Sequence, residues 1–328
     1  MNPQDPSSFN HRTERLKTGR KYHFIDQKPQ NYNSKRTPTL LCIHGFPDFW
    51  YGWRYQIGPW VQKGCRVVVP DMLGYGGTDK PVEPSEYTTK KLCNDLAALL
   101  DLLEIRKAVV LGHDWGAFTV GRFALWHPDR LLALVMYFPS PIYISVEEVA
   151  KRAPDLGYMV YFSDRRSTKQ IEDNASMLLS YFFLSNLVMY RSIPSPDSGP
   201  NPFRELEIPN GDLVLNEKEL HVICNELSKG MNGPLNYYRT ARFRHQEELA
   251  ANLPSNLRSD LPVLFIWGTL DKTTTKMMIC KAHEFIPRLQ DVALEGRGHW
   301  LMVEAKDEIT ERVMGWLEGL MVEAKGKL

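Results

Sequence analysis

The hydrophobic pattern of this chain alternates between two kinds of segment. Continuous apolar runs, as at residues 37–43 (TPTLLCI), are typical of strands buried on both faces of a parallel sheet. Apolar residues at helical spacing, as over residues 88–103, indicate amphipathic helices between the strands. The alternation predicts an α/β fold with a mostly parallel, doubly wound sheet and helices on both of its faces. The predicted strands are residues 21–25, 37–43, 65–69, 108–111, 131–138, 261–267 and 289–294, and the predicted helices are 50–63, 88–103, 117–126, 274–285 and 307–322.

The alternation is interrupted once. Helical segments at residues 171–188 and 216–227 flank a proline-rich loop at 193–202, and this part of the chain has no strong signal for a buried strand. The strand–helix pattern then resumes, which indicates an insertion into a single core. The predicted division is a core of residues 1–140 and 253–328 with an inserted helical lid (cap) subdomain of residues 141–252.

Composition narrows the possible partners. The net charge of +1 provides no field that would attract nucleic acid or an anionic membrane surface. No apolar run approaches the ~20 residues that a membrane-spanning helix needs. We therefore expect no nucleic-acid partner and no membrane span.

Cysteine usage indicates the compartment. The five cysteines lack CxxC spacing, and Cys42, Cys65 and Cys280 lie in apolar periodic segments. This pattern predicts reduced, buried thiols in a cytoplasmic protein. Residues 326–328 (GKL) differ at one position from the Ser-Lys-Leu peroxisomal address, and we treat that similarity as chance.

A candidate nucleophile lies where the predicted strand at residues 108–111 meets a helix. The intervening GHDWG sequence has the G-x-nucleophile-x-G pattern of the α/β-hydrolase elbow, with Asp114 in the place of the usual serine. An ordinary N-cap aspartate gives the same short pattern, so the assignment depends on partner residues. A carboxylate with an ordinary pKa of about 3.9 is an anion at neutral pH. It suits attack on a saturated carbon that carries a leaving group, which points to epoxides or haloalkanes.

Hydrolysis of the resulting alkyl ester requires a base to activate water. His299 follows the last predicted strand and has the final place in the chain order nucleophile, acid, histidine. Asp271, just past the strand at residues 261–267, is the acid predicted to orient it, although turns also favour aspartate. The competing position, after the strand at residues 131–138, has no carboxylate before Glu147.

The oxyanion of the ester intermediate requires backbone donors. Residues 44–47 (HGFP) follow a predicted strand, and the N–H of Phe46 is one candidate donor. The N–H of Trp115, the residue after the nucleophile, is the other. His44 and His113 adjoin these two motifs and are expected to be structural.

Five motifs carry a resemblance that spans nearly the whole chain, from about Leu16 to the last helix. They are HGFP at residues 44–47, WYGWRYQ at 50–56, DMLGYGGTDKP at 71–81, GHDWG at 112–116 and GPLNYYR at 233–239. Together they resemble the soluble (cytosolic) epoxide hydrolase family, least closely over residues 163–212. The resemblance implies the α/β-hydrolase fold, no cofactor and no metal. It also implies that the protein, a monomer or homodimer, converts a lipophilic epoxide and water to a vicinal diol.

The family activates its epoxide with two lid tyrosines. The resemblance places one at Tyr238, before Arg239, and the other at Tyr158, with Tyr161 as an alternative. Tyr237 stands where the family usually has tryptophan. Ring opening releases an alkoxide, which a phenol of pKa about 10 can protonate. Aromatic packing on a lid helix would also explain such tyrosines.

Two alternatives remain open. A haloalkane dehalogenase would use the same Asp114, His299 and Asp271, with Trp115 as a halide donor. Such dehalogenases usually carry Asn at the position of Phe46, and fluoroacetate dehalogenases usually carry Arg at that of Trp115, so both positions favour the epoxide. A non-catalytic receptor on this fold is the second alternative, and it predicts an incomplete catalytic set.

Overall fold

The computed structural model describes residues 1–136, 157–174, 182–183, 213–274 and 276–325. Within these ranges, eight strands form one sheet. Each predicted apolar run that lies in them corresponds to a strand, within two residues at either end. The strands are β1 (His11–Arg15), β2 (Lys21–Gln27), β3 (Thr39–Ile43), β4 (Arg66–Pro70), β5 (Ala108–Gly112), β6 (Leu131–Met136), β7 (Val263–Gly268) and β8 (Leu289–Leu294).

The sheet is mostly parallel. Its strand order is β1-β2-β4-β3-β5-β6-β7-β8, and only β2 runs antiparallel to its neighbours, β1 and β4. Every residue of β3, β4 and β5 is buried, as expected for central strands covered on both faces. The edge strand β1 was not predicted, because its residues (HRTER) are charged or polar and none is buried.

Helices cover the sheet, and further helices lie in the described part of the chain between β6 and β7. The helix predicted at residues 171–188 is wrong at its start, since a helix ends at Glu172, and residues 175–181 and 184–188 lie outside the described ranges. None of the helices described is long and apolar enough to cross a membrane. The α-helices in the described ranges are Arg54–Gln62, Thr89–Leu102, Trp115–Trp126, Tyr158–Ser163, Arg166–Glu172, Glu217–Leu227, Asn232–Asn236, Ala241–Ala250, Lys276–Phe285, Leu301–Glu304 and Lys306–Lys325.

A buried ion pair joins the insertion to the core. Arg54 and Glu219 form it at 2.8 Å, and both side chains are almost completely buried. The Arg54 guanidinium also lies over the rings of Tyr51 and Tyr55, at 4.3 and 4.5 Å from their centroids. Glu219 accepts a further hydrogen bond from the side chain of Gln4 at 2.8 Å. One carboxylate thus connects the first helix of the core, the N-terminal segment and a helix of the insertion.

The cysteines are all free, and the expectation of buried thiols is wrong for Cys280 and only partly met at Cys224, which is half-buried. Cys42, Cys65 and Cys93 are buried, whereas Cys280 is exposed. Cys280 belongs to an amphipathic helix whose buried face includes Ile279. The next residue along a helix is turned by about 100°, which brings Cys280 to the solvent side.

Candidate active site

The elbow after β5 has the backbone conformation that its sequence predicts. Asp114 has a φ of 53°, in the left-handed region that a non-glycine residue seldom adopts. A Cβ on Gly116 would lie 2.2 Å from the carbonyl oxygen of Ile43, so the approach of the elbow to β3 requires glycine. The tight turn therefore raises the Asp114 carboxylate at the carboxyl edge of the parallel strands.

The Asp114 carboxylate lies among backbone donors. The N–H of Phe46 donates to its Oδ1 at 2.8 Å. Burial raises the pKa of Asp114, whereas the neighbouring His299 and the N–H groups of Phe46 and Trp115 favour the ionised form. The two donors predicted for the oxyanion hole thus already interact with the carboxylate. Oδ2 faces the Nε2 atom of His299 at 3.9 Å, which is too long for a hydrogen bond.

His299 is oriented by a buried carboxylate. Its Nδ1–H donates to Oδ2 of Asp271 at 3.0 Å, which leaves Nε2 directed towards Asp114. Burial alone would lower the pKa of His299, but the charges of Asp271 and Asp114 raise it to about 9. The structure therefore brings the three residues into the order carboxylate, imidazole, carboxylate.

Thr273 supports Asp271 and was not identified from the sequence. Its N–H and its hydroxyl donate to Oδ1 of Asp271 at 2.8 and 2.7 Å. Burial would raise the pKa of Asp271, but His299 and these two bonds lower it. The only sequence signal was the Asp-x-Thr order, which is typical of an Asx-turn in any protein.

His44 and His113 are buried neutral side chains, and their contacts are structural. Burial lowers the pKa of His44 to about 4 and that of His113 to about 3. His44 Nε2 accepts the N–H of Met72 at 2.9 Å, and His113 Nε2–H donates to the backbone carbonyl of His299 at 2.9 Å. Each therefore fixes a loop that borders the site.

Two of the predicted tyrosines lie together against the site. The ring centroids of Tyr158 and Tyr238 are 6.1 Å apart, and that of Tyr238 is 5.2 Å from Phe46 and 5.0 Å from Trp115. Burial raises the pKa of both phenols well above 10, and the nearby charge of Asp114 adds to the effect. Both hydroxyls therefore stay protonated at neutral pH.

Tyr161, the alternative to Tyr158, is engaged elsewhere. Its hydroxyl donates to the side-chain oxygen of Gln170 at 2.8 Å. The charge that acts on it is that of Asp164, whereas the charge of Asp114 acts on Tyr158. The geometry thus favours Tyr158 as the partner of Tyr238.

Comparisons with known proteins agree with this geometry. The sequence profile of a family described as "alpha/beta hydrolase fold" matches residues 38–306. Epoxide hydrolase A of Mycobacterium tuberculosis is 30% identical over 299 residues, which cover 86% of this chain and 91% of that protein. The chain belongs to the epoxide hydrolase family of the α/β-hydrolase fold. The resemblance inferred from the motifs is thereby confirmed.

Two further relatives define the extent of this family similarity. Bifunctional epoxide hydrolase 2 of Sus scrofa is 29% identical over 328 residues, which cover 96% of this chain but only 56% of that longer protein. The crystal structure of Epoxide Hydrolase A from Mycobacterium thermoresistibile superimposes with a TM-score of 0.82 at 27% identity, covering 95% of this chain and 98% of that one. Within the described ranges, no three His, Cys, Asp or Glu side chains are grouped so that they could hold a metal ion.

Proposed function

We propose that the protein hydrolyses epoxides to vicinal diols through an alkyl ester on Asp114. The observation that carries the proposal is the grouping of three kinds of chemical group around one carboxylate. The backbone N–H groups of Phe46 and Trp115 interact with the carboxylate of Asp114. The imidazole of His299 lies with its Nε2 3.9 Å from Oδ2 of Asp114. The phenols of Tyr158 and Tyr238 are near enough for the charge of Asp114 to raise their pKa. The phenols favour an epoxide over a haloalkane, because a departing halide needs no proton whereas an alkoxide does.

In the first half-reaction, Oδ2 of Asp114 attacks one oxirane carbon. We assign Oδ2 because Oδ1 already accepts the N–H of Phe46. A C–O bond to the enzyme forms, the oxirane C–O bond breaks, and its electron pair remains on the oxygen. Tyr158 and Tyr238 donate hydrogen bonds to that oxygen, and one of them transfers its proton.

In the second half-reaction, His299 takes a proton from water, which attacks Cγ of Asp114. Ester formation removes the charge of Asp114, one of the charges that raise the pKa of His299, so the imidazole loses its proton more readily. The N–H groups of Phe46 and Trp115 stabilise the oxyanion at Oδ1. Collapse breaks the bond between Cγ and Oδ2, and the leaving alkoxide takes the second proton of the water from the new carboxyl group, which gives the diol and restores the carboxylate. The proton that His299 took from water returns to the tyrosinate.

We also propose that the core comprises residues 1–140 and 253–328 and the lid residues 141–252. The described helices between β6 and β7 support this division, since they carry Tyr158 and Tyr238. Asp114 and His299 follow strands of the sheet. The substrate would then bind between lid and core.

Single turnover in ¹⁸O-water with excess enzyme and styrene oxide tests the mechanism. We expect a first-turnover diol without label, and label in the peptide that contains Asp114, because the diol takes its oxygen from the carboxylate. Label in the diol of the first turnover would overturn the covalent mechanism. Faster release of chloride from a 1-chloroalkane than of diol from the epoxide would instead favour the dehalogenase.

The two tyrosines have separable effects on alkylation. Tyr158→Phe and Tyr238→Phe should each slow it by about 10-fold or more, and the double variant by roughly 10²–10⁴, because proton donation to the alkoxide is then lost. Rapid-quench measurement of ester formation gives these rates. Tyr161→Phe is the matched control and should leave the rate near that of the wild type, since its hydroxyl binds Gln170. Equal losses in all three single variants would contradict the assignment.

A further inference from the structure

A second carboxylate contacts the backbone on both sides of His299. Glu304 ends the short helix Leu301–Glu304 that follows the histidine. Its Oε2 accepts the N–H of Gly298 at 2.7 Å, and its Oε1 accepts the N–H of Trp300 at 2.8 Å. Burial raises the pKa of Glu304, whereas these two N–H groups and the charge of His299 favour its ionised form, in which both oxygens accept. The main chain that carries the imidazole is therefore fixed just before and just after it.

Glu304 also acts on the charge of the imidazole. Its negative charge is among those that raise the pKa of His299, beside those of Asp271 and Asp114. Once Asp114 is esterified, its charge is gone, whereas those of Asp271 and Glu304 remain. These two carboxylates then oppose the effect of burial, which lowers the pKa of His299.

Trp300, the residue after His299, also contacts the chain between β6 and β7. The indole N–H of Trp300 donates to the backbone carbonyl of Phe182 at 2.6 Å, and its ring stacks on that of Phe183 with centroids 4.4 Å apart. The side chain of Trp300 is thus bound by the insertion and its backbone N–H by Glu304. A shift of this loop would break contacts on both sides.

We propose that Glu304 is a positioning residue for hydrolysis of the Asp114 ester. It fixes the backbone of His299 by two hydrogen bonds and keeps a negative charge beside the imidazole during the second half-reaction. The inference rests on the proposed function, because it requires His299 to act as the base on an ester. A carboxylate that merely caps a helix turn would stabilise the fold without changing the pH dependence of one step.

Glu304→Gln separates these two roles, because glutamine has the same shape, keeps one acceptor and removes the charge. In a single-turnover experiment, we expect ester hydrolysis to slow by roughly 10–100-fold through misplacement of the imidazole, while ester formation is unchanged. Removal of a negative charge lowers the pKa of His299, so the acid limb of the hydrolysis rate should move to lower pH. Glu304→Ala, which loses both acceptors, should slow hydrolysis further.

Glu308→Gln is the matched control. Glu308 lies in the next helix, paired with Arg312 at 2.8 Å near the surface, and its replacement should leave both half-reactions unchanged. Wild-type rate and pH dependence of ester hydrolysis in Glu304→Gln would overturn the inference. The inference would also be overturned if Glu304→Gln slowed both half-reactions equally and lowered the Tm, because Glu304 would then act only as a structural helix cap. If the wild type forms no ester, the proposed function fails as well, and the two failures are thereby distinguished.

Discussion

His299→Gln is expected to give a protein that reacts once with an epoxide and then stops. Alkylation needs no base and proceeds, because the N–H groups of Phe46 and Trp115 still favour the ionised form of Asp114, whereas glutamine cannot take a proton from water. The ester on Asp114 therefore persists, and kcat should fall by roughly 10²–10⁴ or more. Intact-protein mass spectrometry should show an increase equal to the mass of the epoxide, located in the peptide that contains Asp114.

Two variants control this experiment. His283→Gln makes the same chemical change at a histidine that pairs with Asp291 near the surface, and it should turn over normally without an adduct. Asp271→Asn retains His299 but removes the carboxylate bound to Nδ1, so we expect slower hydrolysis and partial accumulation of the ester. Loss of activity in His299→Gln without any adduct would mean that the histidine acts before or during alkylation.

The grouping of Asp114, His299 and Asp271 could be predicted because each residue depends on a local pattern at a strand end. Asp114 lies in an elbow whose glycines follow from close backbone approach, and Asp271 and His299 follow β7 and β8. Parallel strands bring their carboxyl ends to one edge of a sheet, so three separate patterns predict one site. The assignments of roles remain predictions until the variants are measured.

The residues that contact this group of three could not be predicted in the same way. Thr273 and Glu304 contribute through hydrogen bonds to a carboxylate and to backbone N–H groups, and neither bond leaves a distinctive pattern in the sequence. The choice between Tyr158 and Tyr161 depends on which hydroxyl binds Gln170, and only the packing of the helices between β6 and β7 determines that. Such contacts depend on tertiary structure and not on local propensity.

The ion pair of Arg54 and Glu219 also depends on tertiary structure, because the two residues are far apart in the sequence. We expect its loss to have a large effect on stability. Replacing Glu219 by Gln should lower the free energy of unfolding by ~3–5 kcal/mol, since the buried guanidinium of Arg54 is left without its counter-charge. Chemical denaturation measures this difference. Glu217→Gln, an exposed change in the same helical turn, should alter stability by no more than ~0.5 kcal/mol.

The pH dependence of the same variant identifies the cause of the loss. Burial would raise the pKa of Glu219, but the charge of Arg54 and its hydrogen bonds lower it from an ordinary value of 4.5 to about 2. A lowered pKa stabilises the fold fully above pH 4.5, and this stabilisation is lost as the pH falls through about 2. The stability difference between wild type and Glu219→Gln should therefore be constant near neutrality and shrink below pH 4.5. If the stability difference does not change with pH over this range, the Glu219 side chain stabilises the contact through its packing and not through its charge.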